Sequence, residues 1–199
     1  SSSKGCAELV ASSYRRSFLQ EQGIGLASVR AGNVIGGGDW ADDRLIPDIL
    51  RSFEESESVV IRNPKAIRPW QHVLEPLSGY LILAEKLYKN QKEYAEGWNF
   101  GPNEKDVKPV SWILDKMISK WPASSWELDQ NSNPHEADFL KLDISKAKAK
   151  LGWKPVWELS HTLEKIISWH QAWLDKEDMQ TICLAEIEEY TKDMSNENR

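Results

Sequence analysis

With 199 residues, 40% of them hydrophobic and 28% charged, the chain can bury one sizeable core or two small ones and lacks the bias of a disordered segment. Its formal charge of -6 excludes a broad electrostatic footprint for nucleic acid, so any anionic ligand must be held by local donors. No apolar run of about 18 residues occurs, Ser1 to Leu9 has neither limb of a secretory signal, and two distant cysteines with four scattered histidines give neither a disulfide framework nor a metal-ligand spacing, which together imply a cytoplasmic protein without membrane or metal.

Residues 1–22 read as a helix, with Cys6, Leu9, Val10, Ser13, Tyr14, Ser17 and Phe18 at helical spacing. No strand precedes it, which implies that the chain begins inside a domain. After the turn at Gly23 and Gly25, Leu26 to Arg30 alternates as a strand that leads to Gly36-Gly37-Gly38. Leu45 to Glu55 reads as a helix, with Pro47 near its start where a missing amide hydrogen costs little. Val59-Val60-Ile61 is a short strand, and Asn63-Pro64 a turn. Leu77, Tyr80, Leu81, Ala84, Leu87 and Tyr88 mark one face of a helix that runs to about Asn90. Trp98-Asn99-Phe100 and residues 124–128 read as strands, and Val110 to Lys120 as a helix. Asp143 is placed to cap a helix that Gly152 ends, and a further helix spans Ser160 to about Lys176. The polar stretch 177–199 is expected to be a loosely attached, fraying helix. Helices that alternate with short strands predict α/β architecture.

Three places could carry chemistry. Lys4 alone reads as a solvated surface lysine. The stretch from Arg30 through Asn33 to Gly38 reads as a strand ending in a tight glycine turn, and its spacing is wrong for a G-x-G-x-x-G phosphate loop. Arg62 and Arg68 flank the Asn-Pro turn and by themselves read as surface arginines.

Several motifs in the correct order carry a resemblance to the extended short-chain dehydrogenases of the NAD-dependent epimerase/dehydratase family. Ser1 to Leu9 resembles the stretch after that family's Tyr-x-x-x-Lys tyrosine, whose position falls immediately before Ser1. Arg30-Ala31-Gly32-Asn33-Val34-Ile35-Gly36 resembles the Arg-x-x-Asn-x-x-Gly segment, Leu45-Ile46-Pro47 a base-contacting helix start, and Arg68-Pro69-Trp70-Gln71-His72-Val73 the arginine before a Trp-x-x-Val segment. Asp143-Ile144-Ser145-Lys146-Ala147 and Leu151-Gly152-Trp153 are similar to the carboxyl-terminal pattern, and report membership rather than chemistry. Where many relatives continue with Gly-Pro, Gly37-Gly38-Asp39-Trp40 is similar to the 4,6-dehydratases that act on CDP-glucose.

The resemblance implies NAD as cofactor and CDP-glucose as substrate. It implies a catalytic and cofactor-binding Lys4, with Ala31 and Gly32 also at the cofactor. The substrate residues it implies are Asn33, Leu45, Ile46, Arg62 and Arg68, with His135 or Glu136 at the sugar because Asn133 stands where relatives often have an arginine. The implied fold is the carboxyl-terminal part of a Rossmann-type doubly wound domain plus a small α/β substrate-binding domain. Residues 1–40 would be the cofactor-domain remnant, 41–176 mainly substrate-binding with segments returning to the Rossmann sheet, and 177–199 a tail. A homodimer through the Lys4 helix is implied as well. The tyrosine, the glycine fingerprint and the elimination carboxylates fall outside this sequence, so the chain alone is expected to show neither tight NAD binding nor turnover. Two alternatives stay open: another epimerase or a dTDP- or GDP-sugar dehydratase of this superfamily, and a non-catalytic nucleotide-sugar-binding module.

Overall fold

The computed structural model describes residues 2–121, 124–131 and 139–197. In chain order the elements are α1 (Ser2–Tyr14), β1 (Ser28–Ala31), β2 (Asn33–Ile35), α2 (Leu45–Glu54), β3 (Ser58–Ile61), β4 (Ile67–Arg68), β5 (Trp70–His72) and α3 (Leu74–Lys89), followed by α4 (Gln91–Tyr94), β6 (Gly97–Phe100), β7 (Lys108–Pro109), α5 (Val110–Lys120), β8 (Ser125–Leu128), α6 (Leu159–Leu174) and α7 (Met179–Glu197). The chain divides into two compact units.

The first unit comprises residues 1–31, 75–101 and 142–154. Here α1 continues through a π-helical turn, Arg15–Leu19, before β1 runs parallel to β6 with Ala31 opposite Phe100. Its core gathers Leu83, Trp98, Phe100, Ile144, Ala147, Leu151 and Trp153. Gly79 in α3 makes room for this packing, since a Cβ there would lie 2.3 Å from the Phe100 ring. The Trp153 indole N–H reaches the Glu75 carbonyl at 3.2 Å and the Ser78 hydroxyl at 3.1 Å, so a bulky core residue keeps its donor satisfied. A second π-helical turn, Ala147–Leu151, ends at Gly152, whose φ of 71° permits the left-handed exit.

The second unit comprises residues 32–74, 102–141 and 155–199. Two parallel pairs, β2 with β5 and β3 with β8, join an antiparallel pair of β4 with β7. The core includes Ile49 and Phe53 of α2, Ile113, Leu114 and Met117 of α5, and Leu163 and Ile166 of α6. Val59 and Ile61 point into it while Val60 is exposed, the two-residue alternation of a strand with one covered face.

Three expectations are corrected. The strand predicted over 26–30 is β1, shifted to 28–31, and a second short strand, β2, follows after Gly32 with a different pairing partner. A strand at 70–72 is present that the Trp-Gln-His run did not signal. The tail expected to be loosely attached is the 19-residue helix α7, with Tyr190 buried against Trp157 and Asp193 accepting the Trp157 indole N–H at 2.9 Å. Its charged composition concealed one buried aromatic and a line of acids that meet partners on α6 and β5.

Candidate diphosphate-binding site

Asn33 opens β2, and its backbone N–H donates to the Pro69 carbonyl at 2.8 Å, which sets Asn33 opposite Trp70 in parallel register. Gly32 allows this approach, because a Cβ there would stand 2.2 Å from the same carbonyl oxygen. Arg68 lies two residues before Trp70, and its Nη1 donates to the Ile67 carbonyl at 3.0 Å. Asn33 and Arg68, 35 positions apart in sequence, thus sit on neighbouring segments of one unit, both half-buried. An amide and a fork of N–H donors that reach one ligand can share the oxygens of a diphosphate.

The glycine loop that follows β2 packs closely on its neighbours. A Cβ at Gly36 would meet Val73 at 2.9 Å, and one at Gly37 would lie 2.2 Å from the Trp169 indole. Gly38 adopts φ of 74°. Trp40 then closes over the same helix, its ring centroid 4.5 Å from Trp173 and 5.7 Å from His170. The Gly-Gly-Gly-Asp-Trp run is therefore a loop shaped to lie flat on the tryptophans of α6.

The other residues singled out from sequence are placed as follows. Lys4 is exposed on α1, and Ala31 ends β1; both lie in the first unit. One turn after Lys4, Glu8 ties α1 to β1 by accepting from the Ser28 hydroxyl at 2.7 Å and pairing with Arg30 at 3.3 Å. In the second unit Leu45 is half-buried against the core and Ile46 is buried. Arg62 is exposed, 3.5 Å from Asp43. His135 and Glu136 lie outside the described residues.

Two buried histidines escaped sequence reasoning. His72 Nδ1 accepts the Leu74 N–H at 3.3 Å, and its Nε2 lies 3.1 Å from Glu186 of α7. His170 Nε2 lies 2.7 Å from Glu54, beneath the Trp40 ring. Partners separated by more than a hundred positions leave no local signal. Asp106 was also missed: burial pushes its carboxyl up, and it accepts the Leu159 N–H at 3.1 Å where α6 begins.

Residues 2–97 match the family described as NAD dependent epimerase/dehydratase. A curated CDP-glucose 4,6-dehydratase of Salmonella typhimurium is 59% identical over 196 residues, 96% of this chain and 55% of that protein. The chain belongs to the NAD-dependent epimerase/dehydratase family. A UDP-glucuronic acid decarboxylase of Arabidopsis thaliana is 26% identical over 83% of this chain and 36% of its own length. Among solved structures, the UDP-glucuronic acid 4-epimerase of Bacillus cereus, in complex with UDP-glucuronic acid and NAD, superposes with a TM-score of 0.68 at 19% identity, covering 82% of this chain and 49% of that one. The dTDP-glucose 4,6-dehydratase of Bacillus anthracis, in complex with NAD, gives 0.68 at 19% identity over 85% and 51%. These likenesses establish the fold as the Rossmann-type α/β fold of the family. The family member described here spans about half the length of the relatives it matches.

Proposed function

We propose that these residues form the nucleotide-sugar-binding part of an NAD-dependent 4,6-dehydratase that converts CDP-glucose to the CDP-4-keto-6-deoxy sugar and water. The observation that carries the reading is the juxtaposition of Asn33 with the Arg68 segment, beside a glycine and tryptophan loop, in a chain 59% identical to a CDP-glucose 4,6-dehydratase. The Asn33 amide and the Arg68 guanidinium hold the diphosphate, and the backbone at Leu45 and Ile46 meets the base. Arg62 adds a donor on release from Asp43, and His135 or Glu136 touches the sugar. Binding energy gathered there, away from the reacting carbons, orients C4 of the glucose.

Toward a dinucleotide the first unit offers the exposed ammonium of Lys4 and the small side chain of Ala31. Bound NAD supplies hydride acceptance and return within one turnover. Lys4 would hold the ribose hydroxyls of bound NAD, and an ammonium so placed would lower the pKa of a phenol one helical turn away. Residues 1–40 belong to the cofactor side and 41–176 mainly to the substrate side.

The first unit supports a homodimer. Leu9 of α1 and Leu81 of α3 are each 73% exposed, and Val10, Tyr14, Phe18 and Tyr88 are exposed beside them in sequence. Such apolar surface on two helices fits a second copy of the chain. Among the described residues, no helix is long and apolar enough to cross a membrane. The proposed reaction, on a nucleotide sugar with NAD, fits the cytoplasm.

A chimera tests the function. These residues replace the matching stretch of the Salmonella typhimurium enzyme, and the purified protein is offered CDP-, UDP- and dTDP-glucose. Turnover of CDP-glucose is expected. Turnover of another nucleotide sugar in its place would assign the chain to a different branch, and binding without turnover would favour the non-catalytic module.

A further inference from the structure

The contact between α6 and α7 has donors that neither the proposed reaction nor the sequence spacing uses. His161 of α6 and Glu189 and Asp193 of α7 each offer one ligand atom, and the three atoms lie within 4.8 Å of one another. Glu189 and Asp193 are separated by four positions, one helical turn, so both carboxylates rise from the same face of α7.

The surroundings orient the set. The Trp157 indole N–H donates to Asp193 Oδ2 at 2.9 Å, and Lys165 Nζ donates to Glu189 Oε2 at 2.5 Å. Asp193 is thus fixed through one oxygen, as outer-shell donors fix the ligands of metal centres, while Lys165 sits on Glu189 as a counter-charge with which a bound cation competes. Glu189 Oε1 faces His161 Nε2 at 3.6 Å, and that nitrogen is buried without a hydrogen-bond partner among the described residues. An orphaned imidazole nitrogen lacks the partner that buried polar atoms normally have. A cleft of about 280 Å³, lined by Val156, Trp157, Asp193 and Asn196, opens beside Asp193 and has room for water ligands.

The geometry points to a divalent transition-metal site, best suited to Zn²⁺, formed by His161, Glu189 and Asp193 and completed by water. One imidazole and two carboxylates form a mixed nitrogen and oxygen set that suits Zn²⁺ better than Mg²⁺. Bonds of about 2.0 to 2.2 Å require the donors to close by roughly 1 Å, within reach of side-chain rotation. Two carboxylates with the single charge of Lys165 leave net negative charge for the ion. Bound there, the ion staples α7 onto α6, a structural role separate from the diphosphate site.

The test is calorimetric titration of the 199-residue chain with zinc chloride, in a background where Cys6→Ser and Cys183→Ser remove competing thiols. One ion per chain is expected. At roughly a hundredfold excess over Kd, the thermal midpoint should rise by about 5 to 10 °C. H161N and D193N should each weaken binding at least about tenfold, and Mg²⁺ should leave the midpoint unchanged. Lys165→Met removes a competing positive charge and should tighten binding, and it decides the matter should the ligand variants misfold. Zinc affinity unchanged in folded H161N, or no tightening in K165M, would overturn the site.

Discussion

Gly37 shows how much one missing side chain decides. With a Cβ, position 37 would place carbon 2.2 Å from the Trp169 indole, a contact that neither rigid partner can relax. Gly37→Ala is expected to destabilise the second unit by about 1 to 3 kcal/mol through overpacking, read as a lowered urea midpoint, and shortening the partner with Trp169→Leu should recover part of the loss. Asn33 and Arg68 were singled out in the sequence because each sits in a short motif with fixed neighbours. The packing role of Gly36 and Gly37 was not, since Val73 and Trp169 approach them only in the fold. Glu8, Glu54 and Glu186 were equally hidden. Their partners Arg30, His170 and His72 stand from 22 to 116 positions away, and a lone glutamate on a helix reads as a solvated charge.

At the scale of elements, β6 and the π-helical turn at 147–151 are joined by a charged cluster. Glu96 lies 2.7 Å from Lys146 and 3.2 Å from Lys150, and Lys146 also donates to the Gly97 carbonyl at 2.8 Å while its ammonium lies over the Trp98 ring. Burial pushes the Glu96 carboxyl up, but the two lysines outweigh it and hold the group below its ordinary range. A depressed folded-state pKa gives stability that is present above the unfolded carboxylate range and lost as the pH falls through the folded value. The cluster is partly open to solvent, so its contribution is about 0.2 to 1 kcal/mol. Glu96→Gln should therefore lower the urea midpoint at pH 7 and leave it close to the parent's near pH 3; an equal loss at both values would mean the charges are not responsible. Helices were legible where apolar residues recur at helical spacing: α5 was read over Val110–Lys120, as observed, and α2 to within a residue. The strands β4, β5 and β7 have two or three residues each, too short for alternation to register.

For the whole molecule, the α/β class followed from alternating elements, and family motifs supplied what periodicity could not. Which segments share a unit was not legible, because each unit is assembled from three separated stretches. The apolar surface on α1 and α3 belongs to this scale. Sedimentation should show a dimer that Leu81→Glu converts to monomer, and a monomeric parent would remove the proposed pairing. The central claim is that Asn33 and Arg68 together bind the diphosphate of the substrate. It is tested most directly by CDP-glucose binding to the folded chimera and to its Asn33→Ala and Arg68→Met variants. Loss of a hydrogen bond to a charged group predicts about a 10- to 100-fold weaker Kd for each variant, with the double variant less than additive because both serve one ligand group. Undiminished affinity in both single variants, with the parent binding and the folds intact, would contradict the account.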